Sequence, residues 1–211
     1  MLSPGCLRPA WIRAKADELA PVDPLLLEKC IHALALLGHL SESDLNFVFK
    51  GGTSLLLLLH PIRRLSIDID IVCGASRREL EAVLESLKNK PPFVRCEEND
   101  RGERGLPRRR HFKFFYQSMD PNSQGAYVLL DVVEEARCPH QTQRLPIKAR
   151  FIEVEREVQV TLPTIESLLG DKLTACQQSS HPTPVWDGRG AGRRRQGRAA
   201  GHRYADQRGR A

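Results

Sequence analysis

The sequence predicts an α/β (α+β) domain in which a mixed sheet is backed by helices. Three observations carry that expectation. Short β-rich runs alternate with stretches of helical apolar spacing, two aspartates stand two residues apart inside an apolar run, and no internal repeat interrupts the order. A chain of 211 residues, 41% hydrophobic and 27% charged, is long enough to bury one such core with an appended segment.

Taken in order, Asp23 is placed to cap a helix whose first residue is Pro24, and Leu26, Leu27, Ile31, Leu34 and Leu37 give it an apolar stripe to about Leu40. A strand at Phe47–Phe49, a short leucine-rich helix after Ser54, a strand at Ile67–Val72 and a helix over Arg77–Lys88 follow. Further strands are expected at Phe93–Cys96, His111–Tyr116, Tyr127–Val133 and Ile152–Val160, mainly antiparallel at the edges. Asp120-Pro121-Asn122-Ser123, closing on Gly125, is ordinary turn chemistry. The basic stretch from Asp100 to Arg110 reads equally as a solvated hairpin connection or as a nucleic-acid contact.

Side chains alternate between faces along a strand, so in Ser66-Ile67-Asp68-Ile69-Asp70-Ile71 the two carboxylates point one way and the isoleucines the other. Two adjacent anions at the edge of an apolar layer ask for a cation, and hard oxygen ligands suit Mg²⁺ or Mn²⁺. Upstream, an apolar strand runs into Gly51-Gly52-Thr53-Ser54. Without a Cβ at the glycines, backbone N–H groups and the two hydroxyls can be aimed at a phosphate. Either feature alone is commonly a plain turn or a solvated edge; their order is what makes them specific. Asp131 is the one acid inside the apolar run Tyr127–Val133, where it could equally be a strand-end residue facing solvent.

Lys50-Gly51-Gly52-Thr53-Ser54-Leu55 followed by Asp68-Ile69-Asp70-Ile71 resembles the signature of the AbiEii/AbiGii toxin group within the DNA polymerase β-like nucleotidyltransferase superfamily. Leu162 to Ala175, with Asp171-Lys172, is similar to a later helix of that group that carries an active-site lysine. The match runs over roughly residues 20–175 and is silent on the acceptor. The resemblance implies attack of an acceptor hydroxyl on the α-phosphate of an NTP, with metal held by Asp68, Asp70 and Asp131. Gly51, Gly52, Thr53 and Ser54 would hold phosphates and Lys172 would face the triphosphate. Asp171 and Lys50 are subsidiary candidates. The implied acceptor is RNA or tRNA, the implied partner a cognate antitoxin of an abortive-infection type system. A small-molecule nucleotidyltransferase and an inactive, truncated remnant of the family are the other readings.

Domain organisation follows as an N-terminal extension over residues 1–22, a nucleotidyltransferase domain over 23–175 and a tail over 176–211. The formal net charge of +6 resides in that tail, since residues 177–211 hold eight arginines against Asp187 and Asp206, with no Leu, Ile, Phe or Met. It is expected to be disordered. The abrupt change of composition reads as an out-of-frame translation replacing the family's C-terminal helices, with a genuine arginine-rich RNA arm as the alternative. Six dispersed cysteines with no Cys-x-x-Cys speak against structural zinc and a disulfide framework, and no apolar run is long enough to span a bilayer. A cytoplasmic protein is the expectation.

Overall fold

The computed structural model describes residues 1–19, 22–61, 64–99, 108–123, 125–136, 138, 140–170 and 173. Lys172, Asp171, most of the basic stretch before β4 and the arginine-rich tail lie outside these residues.

After a 3-10 turn at Pro4–Leu7, helices α1 (Pro9–Glu18) and α2 (Pro24–Ser41) precede the strand-helix alternation β1 (Phe47–Lys50), α3 (Gly51–Leu58), β2 (Ile69–Cys73) and α4 (Arg77–Leu87). The chain continues through β3 (Phe93–Glu98), β4 (Arg108–Tyr116) and β5 (Tyr127–Glu134), then β6 (Thr142–Pro146) and β7 (Gln159–Pro163). The five-stranded sheet has the order β1-β2-β5-β4-β3, and β6 pairs with β7 separately. Within the larger sheet β2 and β5 are parallel, while the other pairs are antiparallel. A mixed sheet backed by helices is therefore what the chain forms.

The capping expected of α2 is present, since Leu25 N donates to Asp23 Oδ1 at 2.9 Å with Pro24 in the first turn. Nearly every residue from Leu27 to Leu40 is buried, so α2 is the central helix of the core and not a one-sided surface helix. It packs on β5 and on α1. α4 starts from a reciprocal capping box between Ser76 and Glu79 and buries Leu80, Leu84 and Leu87. Arg110, 10% exposed, ties α4 to the β3–β4 hairpin: its Nε and Nη2 donate to Glu98 at 2.7 and 2.8 Å, and Nη2 donates to Glu81 at 2.9 Å. Arg110 is thus a structural clamp, whichever role the preceding basic residues have.

Residues 1–19 do not stand apart from the domain. Leu2, Cys6, Ile12 and Ala16 enter the same apolar core as α2. Leu2 bridges Val154, Ser3 N donates to Glu153 O at 2.9 Å, and the Trp11 indole donates to Phe151 O at 3.3 Å. These bonds explain a second difference from the sequence expectation. The run Ile152–Val160 is not one strand: its first half bonds to the N-terminus, and β7 starts only at Gln159, where β6 supplies a partner. Strand β6 has no apolar alternation to announce it. The helix expected over Leu162–Ala175 begins after β7, with residues 165–170 helical.

Within the five-stranded sheet the two faces differ. Phe49, Ile69, Ile71, Leu130, Val132, Phe112 and Phe114 are buried beneath the helices, whereas Lys50, Asp70, Asp131, Lys113, Phe115, Leu129 and Tyr127 lie half-buried on the opposite face. Among the described residues no helix is long and apolar enough to cross a membrane, and the described cysteines are free.

One polar pair in the core sets an acid sensitivity. His32 stacks on Tyr116 with ring centroids 3.7 Å apart, and its Nδ1–H donates to Glu28 O at 2.9 Å. Burial pushes its pKa down to about 4. Between about 4 and 6.5 the unfolded chain carries a proton at this position that the folded chain refuses, so acidification through that window costs stability, up to ~1.4 kcal/mol per pH unit. Denaturant unfolding at a series of pH values checks this: His32→Phe, which keeps the stack, should flatten the loss between pH 7 and 5, whereas parallel curves for the two proteins would contradict it.

Candidate active site

The site is built on one row across the open face. Antiparallel pairing sets Lys50 opposite Asp70, parallel pairing sets Asp70 opposite Asp131, and β4 brings His111 opposite Asp131. Directly paired residues project to the same face, so four residues far apart in sequence form a line Lys50, Asp70, Asp131, His111. Asp68 lies two residues before Asp70, just ahead of the strand. His111 is 6% exposed, and its Nδ1 lies 2.5 Å from Asp131 Oδ1. This orients the Asp131 side chain through one oxygen.

Where β1 ends, the chain turns directly into α3. The first helical residue, Gly51, has φ +80°, and a Cβ there would fall 1.9 Å from Asp70 Oδ2. The helix start is therefore pressed against the carboxylate, a contact only glycine permits. Gly52 is less confined, since its added Cβ would meet Ser66 Oγ at 3.1 Å and Arg64 Nη2 at 3.6 Å. No side chain at the capping position, Lys50, bonds back to α3. Arg64, exposed beside Gly52, is a cation near the positive end of the helix that sequence reading passed over; its position in a basic connection is the only signal that could have pointed to it.

Thr53 and Ser54 lie deeper than the glycines before them. Both are fully buried. Thr53 Oγ1 donates to Asp68 O at 2.5 Å and lies 2.8 Å from Ser66 Oγ, while Ser54 Oγ donates to Gly51 O at 2.8 Å. A hydroxyl has one proton, and each is committed to a carbonyl. These bonds tie down the backbone of the glycine turn and of Asp68. Outward-facing groups near the turn are the Gly51-Gly52 backbone, Ser66 and Arg64.

The donor set, three carboxylates on or beside adjacent strands, has the hard-oxygen chemistry of a Mg²⁺ or Mn²⁺ site. Their arrangement is one of register more than of convergence: among the described residues no three His, Cys, Asp or Glu side chains close on a single metal-sized point. Asp131 Oδ1 is engaged by His111, which leaves Oδ2 as the oxygen for a cation shared with Asp70. The residues fit such a cation by strand placement and by the chemistry of their oxygens. Sequence reasoning missed His111, because a lone histidine at the start of a strand carries no pattern of its own.

Comparison with known proteins accords with this geometry. A family profile described as nucleotidyl transferase AbiEii toxin, type IV toxin–antitoxin system, matches residues 35–193, from within α2 into the arginine-rich stretch. The nucleotidyltransferase toxin MenT4 from Mycobacterium tuberculosis H37Rv shares the fold with a TM-score of 0.56 at 17% identity, covering 80% of this chain and 58% of its own. JHP933 from Helicobacter pylori gives 0.45 at 20% identity, with 73% of this chain and 57% of that chain covered. An antigenic nucleotidyltransferase-like protein from Paracoccidioides brasiliensis gives 0.49 at 17%, covering 72% and 68%. The chain thus spans about three fifths of the length of MenT4 and JHP933. Among curated proteins none matches it.

The close approach at Gly51 makes a specific expectation. Gly51→Ala meets both the Asp70 carboxylate and an unfavourable φ, and should lower stability by about 1–3 kcal/mol. Gly52→Ala should change stability by less than half as much. Equal effects of the two substitutions in chemical unfolding would contradict the packing of Asp70 against the helix start.

Proposed function

The chain belongs to the AbiEii nucleotidyl transferase toxin family, and from that premise we propose that it transfers a nucleotide from an NTP to the hydroxyl of an RNA acceptor, tRNA among the candidates. The observation that supports this reading best is the cross-strand register of Asp70 with Asp131, with the start of α3 packed against Asp70. It sets a carboxylate pair beside an anion-attracting helix terminus, as phosphoryl-group chemistry needs.

In the proposed reaction the acceptor oxygen bonds to the α-phosphorus while the bond from that phosphorus to the bridging oxygen of the β-phosphate breaks, and pyrophosphate leaves. The hydroxyl proton passes to solvent water, and the His111 bond to Oδ1 holds the Asp131 carboxylate so that Oδ2 is kept for the cation shared with Asp70. Gly51 and Gly52 let the leaving phosphates approach the N–H groups of α3, with Arg64 beside them as a counter-charge. Lys50, across from Asp70, offsets the repulsion between neighbouring carboxylates. Mg²⁺ or Mn²⁺ bound by Asp68, Asp70 and Asp131 would supply charge neutralisation at the transferring phosphate. Lys172 is proposed to face the triphosphate, as the resemblance implies. Membership of a type IV toxin–antitoxin family supports a cognate antitoxin as the partner.

Asp70→Asn should abolish transfer of label from α-³²P-NTP to RNA while leaving the fold intact, and without added metal its melting temperature should hold or rise because one of two neighbouring anions is removed. Undiminished transfer by this variant would overturn the assignment. Label on a small molecule instead of RNA would move the acceptor to a different class.

A further inference from the structure

The open face does not end at Asp131. Four residues back along β5 stands Tyr127, paired with Phe115 of β4 as Asp131 is paired with His111. Their rings are 5.7 Å apart and tilted by 58°. The Lys113 and Lys29 ammonium groups lie 4.9 and 5.0 Å from the Tyr127 ring centroid. The Arg95 guanidinium sits 3.8 Å over Phe115. With 54% of its side chain exposed, Arg95 offers its outer plane to solvent. Glu97, 3.2 Å from Arg95, is the acid in this strip. Two half-buried rings attended by three cations contribute nothing to the core beneath the sheet, which is built from the opposite faces of the same strands.

We propose that this strip is an acceptor platform for an unpaired RNA end. Bases stack on Tyr127 and on the Arg95–Phe115 layer, and Lys113 meets the intervening phosphates. Stacking on a ring demands a base whose face is open, so the ligand is single-stranded and not duplex. The platform and the glycine turn flank the carboxylate row on opposite sides: Gly51 adjoins Asp70 from the β1 side with Arg64 beside Gly52, whereas Phe115, Lys113 and Arg95 lie on the β4 and β3 side of Asp131. An in-line displacement needs the attacking and leaving groups opposed in this way. At about 3.3 Å per residue, Tyr127 is about 13 Å from Asp131, enough for a terminal nucleotide between the stack and the reacting oxygen. Delivery of a hydroxyl to Asp131 rests on the nucleotidyl-transfer reading; binding of the strand does not.

The test is therefore a binding measurement with no nucleotide or metal present. Fluorescence anisotropy of a short labelled single-stranded RNA, and of the same RNA in a duplex, is recorded at two salt concentrations for the full chain and for Tyr127→Leu and Lys113→Gln. Because the arginine-rich stretch is common to all three proteins, it cancels in the ratios. Tyr127→Leu should weaken single-strand binding about tenfold, and Lys113→Gln should reduce the slope of log K against log salt by about 0.7. Lys113 is a surface residue, so its variant reads the platform even if Tyr127→Leu fails to fold. Affinities and salt slopes unchanged in the folded variants, or a preference for the duplex, would overturn the platform. Label transfer to RNA measured in parallel separates the two ideas, since transfer without platform-dependent binding leaves the catalytic reading standing and removes this one.

Discussion

Parallel pairing of β2 with β5 is the constraint on which the site depends. It places Asp70 beside Asp131 although 60 intervening residues, including α4, β3 and β4, separate them in the chain. A one-residue slip of either strand would turn its aspartate into the core and an isoleucine or leucine toward solvent, because side chains alternate with period two. The buried residues Ile69, Ile71, Leu130 and Val132, packed beneath the helices, hold that register through hydrophobic burial. The stability of the core and the geometry of the carboxylates are thus set by the same two strand segments. The glycine turn is tied to them twice, by the contact of Gly51 with Asp70 and by the hydrogen bond from Thr53 to the Asp68 carbonyl.

Much of this was legible in the residues. The aspartate alternation, the glycine pair, the cap of α2 and the apolar core strands all follow from local pattern, and the family profile agrees with the family named from two short motifs. What was not legible depends on long-range partners. His111 gains meaning only because β4 lies beside β5. The sequence reads as an extension over residues 1–22, yet Ile12 and Ala16 enter the core, and Trp11 bonds to a loop about 140 residues away. Strand β6 exists because β7 pairs with it. The bonds that Thr53 and Ser54 make to the Asp68 and Gly51 carbonyls depend on the fold in the same way, since no local pattern shows which carbonyl a hydroxyl will meet.

The two sides of the open face differ in composition. Its β1 and β2 side combines glycine backbone, a helix start and Arg64, suited to a compact polyanion. Its β5, β4 and β3 side combines rings with cations, suited to a chain of bases. Asp70 and Asp131 stand where the two meet.

Cation binding tests most directly whether those two carboxylates act as one unit. Titration of Mn²⁺ into the full chain, followed by electron paramagnetic resonance with Mg²⁺ as competitor, should show binding that weakens on Asp70→Asn and on Asp131→Asn, with the double variant hardly weaker than either single one. Retention of wild-type Mn²⁺ affinity by Asp131→Asn, or strictly additive losses, would contradict a shared site across the β2–β5 pair.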